Sequence, residues 1–266
     1  MPSFQYNLKR KQCKDLKTNW HLSLAEQTEW GLTAEQFINE GGKVIITGRS
    51  SETVNKGVEK LRKNPFGIVA NAGNMKDILV LQKQVKQYTD SIDLLFANAG
   101  YGKLAPIEYA DETHFDELFN MLVKGTFFTV NQVSPLMKPG GAIVLNTSIV
   151  TKIGITNFSV YSAAKSAVQS FIKTFAAEFT EKGIRVNGIS PGHIKTNGFH
   201  NTGLSPEQIE GAIQSITRTI PFKRFGESSE IANAVSFLAS QEASYIHGTE
   251  LTVDVAISLS NDKNKT

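Results

Sequence analysis

The sequence predicts an α/β protein: one Rossmann-type, doubly wound parallel sheet with helices on both faces. Short apolar runs alternate with helical periodicities along most of the chain. Those runs, at 44–47, 92–97, 142–145 and 184–189, are largely apolar, broken by Asp93, Arg185 and Asn187, and read as strands buried on both faces. The residues that close them (Gly48 and Arg49; Asn98, Ala99 and Gly100; Ser148; Pro191 and Gly192) would share the carboxyl edge of the sheet. Ligands bind at that edge in such folds.

Residues 1–18 are polar, aperiodic and basic (Lys9, Arg10, Lys11, Lys14, Lys17) and read as a loose arm. From Gly31 a helix runs through Ala34, Phe37 and Ile38 and stops at Gly41 and Gly42. Strand 44–47 follows, then a helix through Val54, Val58 and Leu61, a short strand at 67–70 and a helix over about 75–88. Strand 92–97 leads through the Asn98 turn to a long helix over about 114–137. Pro139, Gly140 and Gly141 turn the chain into the strand that ends at Ser148. The next helix carries Ala164, Val168, Phe171, Ile172, Phe175 and Phe179 at three- and four-residue steps. After strand 184–189, a less regular stretch over about 194–225 contains a helix start at Ser205, Pro206 and Glu207. A helix at 228–238 and a strand at 251–254 complete the fold, and 259–266 form a polar tail. With no internal repeat or linker, 19–258 read as one domain.

The chain has 266 residues, 40% hydrophobic and 20% charged, an ordinary balance for a soluble globular protein. Its net charge of +3 is small and much of the positive charge lies in the arm, which argues against a nucleic-acid face. Cys13 is the only cysteine, so neither an intrachain disulfide nor a cysteine metal cluster is possible. No apolar run reaches the ~20 residues of a membrane span, and a cytoplasmic protein is expected.

Tyr161 and Lys165 are four residues apart, on one face of their helix. A tyrosine ionises near pH ~10, and a neighbouring ammonium favours the phenolate, bringing the group closer to a working proton carrier. Ser148 returns beside them across a loop of about a dozen residues and can hold a substrate oxygen. A Tyr-x-x-x-Lys pair alone is ordinary on an exposed helix; the strand-end serine is what distinguishes this one.

Through these motifs the chain resembles the short-chain dehydrogenase/reductase family over roughly 31–258. The resemblance implies that Ser148, Tyr161 and Lys165 are catalytic, and that Tyr161 and Lys165 also meet a nicotinamide cofactor. It further implies that Asn98, Ala99 and Gly100 support the adenosine side. Pro191, Gly192, Ile194 and Thr196 would flank the nicotinamide amide, and Asn71 would stand where an aspartate usually contacts adenine. At the end of the second strand Arg49 supplies a cation where a carboxylate would select NAD, so NADP is favoured, with NAD possible. A small carbonyl or alcohol substrate and a homo-oligomer, tetramer or dimer, are also implied.

Three departures stand out. Leu122 occupies the place of an asparagine in the central helix, and Val255 and Ala256 replace a usual Gly-Gly pair. The family's Thr-Gly-x-x-x-Gly-x-Gly loop, with its last glycine aligned on Gly31, is absent; Glu26 and Glu29 lie there instead. The chain therefore reads as an oxidoreductase or, alternatively, as a cofactor-deficient, non-catalytic relative or a damaged gene product.

Overall fold

A computed structural model describes residues 20–24, 31–61, 65–196 and 205–259. Its strands are β1 (Trp20–Leu24), β2 (Lys43–Gly48), β3 (Phe66–Val69), β4 (Ile92–Ala97), β5 (Met137–Asn146), β6 (Arg185–Pro191) and β7 (Glu250–Val253). They form one parallel sheet in the order β3-β2-β1-β4-β5-β6-β7. The helices are α1 (Gly31–Asn39), α2 (Ser51–Leu61), α3 (Met75–Leu79), α4 (Leu81–Val85), α5 (Glu112–Leu118), α6 (Gly125–Val133), α7 (Ser159–Phe179), α8 (Pro206–Thr219) and α9 (Ser228–Ala239). The predicted arm, Phe199, His200, Leu204 and most of the polar tail lie outside the described residues.

Alternate strand residues face two cores. Leu22, Ile45, Leu95, Ile143 and Val186 pack with Val130 and Val133 of α6 and with Val168, Ile172 and Phe175 of α7. Val44, Ile46, Leu94, Phe96 and Val144 pack with Phe37 of α1 and with Ile231, Val235 and Leu238 of α9. Each fully buried side chain of this size contributes about 1.5–3 kcal/mol. The predicted fold class is therefore correct.

Two helices differ from expectation. The segment over 75–88 divides into α3 and α4, and the long central helix is interrupted by a π turn, Phe119–Lys124, before ending at Val133. Met137 already pairs with Ile92 at the start of β5, with a register shift before the regular β4–β5 ladder.

β1 does form, between β2 and β4, but with polar residues inside it. His21 and Ser23 are buried, and neither ring nitrogen of His21 nor the Ser23 hydroxyl has a hydrogen-bond partner. Such groups cost roughly 1–3 kcal/mol each. The imidazole stacks on Phe37 at 4.4 Å, and a Cβ at Gly42 would lie 2.7 Å from it. Only glycine fits beside that ring.

After β7 the chain turns through Val255 and Ala256 at φ 47° and 64°, left-handed backbone that suits the glycines they replace. Ala256 is exposed, so little packing depends on its methyl. Ala256→Gly should raise stability by about 1 kcal/mol and Tm by roughly 2–4 °C. A lower Tm, the usual effect of introducing glycine, would contradict the strain.

Candidate active site

Ser148 follows β5 and caps a 3₁₀ turn, Ile149–Thr151, its Oγ accepting from the Val150 amide. Tyr161 stands in the first turn of α7, its phenol near enough to Ser148 for the hydroxyl to favour the phenolate. One turn on, Lys165 is buried with Nζ 5.9 Å from the Tyr161 ring centre. The three predicted catalytic residues therefore meet at the carboxyl edge of the sheet.

Their electrostatics differ from expectation. Burial pushes the Tyr161 phenol up to about 12, with the Ser148 hydroxyl pulling the other way. Burial also brings the Lys165 ammonium down to about 8. The expected lowering of Tyr161 by Lys165 is therefore not what sets the phenol; desolvation of the phenolate is. Lys165 is directed instead at the Asn146 carbonyl, to which Nζ donates at 2.8 Å. What results is a neutral phenol, a proton donor, beside a serine hydroxyl.

Two supports were not foreseen from the sequence. Asn146 accepts from Lys165 through its carbonyl and donates through Nδ2 to Asn98 Oδ1, tying the ends of β4 and β5 to α7. Glu250 of β7 accepts from Thr147 Oγ1 and from Gln169 Nε2, the latter at 2.8 Å, and pairs with Lys152 at 3.0 Å. It joins the segment bearing Ser148 to the helix bearing Tyr161 and Lys165. Position two before Ser148 was the only available hint of Asn146; nothing local marks Glu250.

On the adenosine side, Thr47, Gly48, Asn71, Ala99, Gly100 and Met121 line a small pocket. Gly100 sits at φ 144°, and a Cβ there would lie 2.2 Å from Leu122, which is buried against it. Leu122 therefore fills with apolar bulk the place where a polar relay group was looked for. Asn71 accepts from the Gly73 amide through Oδ1 at 2.9 Å, so its acceptor serves the local turn. Arg49, at the exposed end of β2, approaches the Tyr101 ring at 5.7 Å, and Tyr101 donates to Glu117.

Pro191 ends β6, the Gly192 amide donates to the Val253 carbonyl at 3.0 Å, and a Cβ at Gly192 would meet Asp254 at 2.8 Å. Ile194 bridges to Gly226, and Thr196 lies partly buried beyond it. Gly31 opens α1. The small residues around this pocket, Gly48, Ala99 and Gly100, suit close approach by the adenosine end of a dinucleotide. On the phosphate side, residues 25–30 lie outside the described residues; in the sequence Ala25 and Glu29 stand at the loop's first two glycine positions, and Glu26 adds a second carboxylate. Among the described residues no histidine, cysteine or carboxylate cluster could hold a metal, and no helix is long and apolar enough to cross a membrane.

Residues 31–256 match the sequence model described as enoyl-(acyl carrier protein) reductase. The chain is 35% identical over 223 residues to the 3-oxoacyl-(acyl-carrier-protein) reductase FabG of Buchnera aphidicola subsp. Acyrthosiphon pisum, covering 83% of this chain and 89% of that protein. It is 32% identical over 237 residues to glucose 1-dehydrogenase of Gluconobacter oxydans, covering 86% and 88%. A crystal structure of L-sorbose reductase from Gluconobacter frateurii, complexed with NADPH and L-sorbose, superposes with a TM-score of 0.86 at 25% identity, covering 92% and 98%.

Proposed function

Because the chain belongs to the short-chain dehydrogenase/reductase family of oxidoreductases, we propose that it interconverts a carbonyl and an alcohol, with Tyr161 exchanging the proton and NADPH preferred over NADH. The meeting of Ser148, Tyr161 and Lys165 at one strand edge is the observation that favours this reading. When bound, the nicotinamide supplies a hydride to the carbonyl carbon, or takes one from the alcohol.

The chain's own residues handle the oxygen and its proton. Ser148 holds the substrate oxygen beside the phenol. Tyr161, kept protonated by burial, donates to that oxygen as negative charge develops on it. Lys165, fixed by the Asn146 carbonyl, bears on the ring from within the helix and is the residue to bind ribose hydroxyls. Behind Ser148, Ile149, Ile220 and Ile257 form a small buried core cluster with Ile153, Ile216 and Phe225 packed around them. Relatives named for an acyl-carrier thioester, glucose and sorbose span too wide a range to narrow the choice of substrate. We also propose a homo-oligomer, packed through the long helices, where Phe115 and Phe127 are exposed on α5 and α6, and through the last strand.

Loss of NADPH absorbance against a panel of ketones and aldehydes tests the activity. No turnover with any carbonyl, in a chain that binds NADPH, would refute it. Arg49→Asp tests cofactor choice: a carboxylate there repels a 2′-phosphate and accepts from ribose hydroxyls. The NADPH:NADH preference should invert; an unchanged ratio means Arg49 serves its contact with Tyr101 instead. The second reading, a chain impaired in cofactor binding, is favoured by Glu26, Glu29 and the unpartnered polar groups of β1.

A further inference from the structure

We infer that residues 19–30 are the product of translation one base out of frame across a stretch that encodes an apolar first strand and a glycine-rich phosphate loop. This rests on the proposed cofactor site and accounts for the one part of it that the chain does not supply.

Three observations converge. β1 lies at the centre of the sheet, yet two of its buried side chains, His21 and Ser23, have no partner for their polar atoms. The His21 ring also crowds Gly42, leaving no room there for a Cβ. After β1 the sequence carries Glu26 and Glu29 in the stretch that aligns with a phosphate loop, whose pyrophosphate needs close backbone and a positive helix end. The match to the family model spans residues 31–256 and so leaves 19–30 out.

The genetic code connects these facts. Joining the third base of each codon to the first two bases of the next gives the shifted reading. Asn19 with Trp20 yields leucine, Trp20 with His21 yields alanine, and Trp30 with Gly31 yields glycine, whatever synonymous codons are used. Glu26 with Gln27 allows threonine or alanine, Gln27 with Thr28 asparagine or aspartate, and Glu29 with Trp30 methionine or valine. The other positions admit leucine, valine, threonine and glycines with permitted codons. Position for position over 20–31 the chain can then read Leu-Ala-Leu-Val-Thr-Gly-Gly-Thr-Asn-Gly-Met-Gly.

That peptide is a buried strand followed by Thr-Gly-x-x-x-Gly-x-Gly, entering α1 in register. The structure bears on the buried positions of β1: His21, whose ring nitrogens have no partner, becomes alanine, and permitted codons turn Ser23, whose hydroxyl has none, into valine and keep buried Leu22 leucine. Alanine at 21 is forced by the code and also relieves the crowding at Gly42. One base lost near Thr18 and one gained at Gly31 produce the present chain with its length unchanged.

Sequencing the DNA for residues 18–31 is the direct test. The expected bases spell the strand and loop in the frame that starts on the third base of codon 18; bases that cannot spell them in any shifted frame overturn the inference. Two full-length variants test its physical side by nicotinamide fluorescence and thermal unfolding. The pair His21→Ala and Ser23→Val should raise Tm without changing NADPH affinity. Adding Trp20→Leu, Leu24→Thr, Ala25→Gly, Glu26→Gly, Gln27→Thr, Thr28→Asn, Glu29→Gly and Trp30→Met should tighten NADPH binding ~100-fold or more. No gain in affinity, or micromolar binding by the chain as it stands, would overturn the inference. A repaired chain that binds NADPH tightly yet reduces no carbonyl would sink the proposed function and leave this inference standing.

Discussion

Tyr161→Phe lowers turnover by ~10²–10⁴-fold, the range a positioned proton donor contributes, and leaves NADPH affinity nearly unchanged. The substitution removes only the hydroxyl near Ser148, while the ring keeps its edge-on contact with Phe158 at 5.5 Å and its place over Lys165. The loss should therefore fall on kcat and kcat/KM together, the sign of an interaction made in the transition state. Burial holds the phenol near 12, so the donor stays protonated across the neutral range and reduction should show no fall from its ionisation there. Lys165→Ala should damage both turnover and cofactor binding, because its ammonium is buried against the Asn146 carbonyl as well as the ring. Activity in Tyr161→Phe close to that of the parent would show that the proton comes from elsewhere.

Acid destabilises the chain through His21 by several kcal/mol between pH 6.5 and about 3. The imidazole ionises at 6.5 when solvated, but burial lowers it to about 3 in the fold. Between those values the unfolded chain binds one more proton than the folded one. Stability therefore falls as pH falls, with a limiting slope of about 1.4 kcal/mol per pH unit. No acid faces either ring nitrogen to hold the charged form, since both are buried without a partner. Denaturant midpoints measured down this range should decline less steeply in His21→Ala than in the parent. Equal slopes would place His21 in contact with water. The exposed Arg224–Glu230 pair, whose carboxyl is held at about 2, also loses its contribution as pH falls below 4.5, but equally in both chains, so it cancels from the comparison.

Much of the fold was legible from local pattern. Largely apolar runs located β2, β4, β5 and β6, and three- and four-residue periodicity located α7 with Tyr161 and Lys165 on one face. Chain order alone assembled Ser148, Asn98, Gly100 and Pro191 at one edge, because parallel strands joined by helices all end on the same side. The missing glycine loop was equally a matter of sequence, since no packing can remove the carboxylates of Glu26 and Glu29 or the Cβ atoms that glycines would lack.

Tertiary structure decided what depends on partners far along the chain. Lys165 meets the Asn146 carbonyl 19 residues away, and Thr147 meets Glu250 at a separation of 103, pairings that no local spacing encodes. The protonation of Tyr161 was misread for the same reason. A four-residue spacing places the ammonium nearby, but only the assembled core determines how much water the phenol loses, and that desolvation is what sets the phenol. Leu122 against Gly100, and Ala256 in left-handed backbone, are likewise consequences of close approach in three dimensions. Periodicity belongs to one strand or helix at a time, whereas solvation, charge and strain at a site belong to all the elements that close around it.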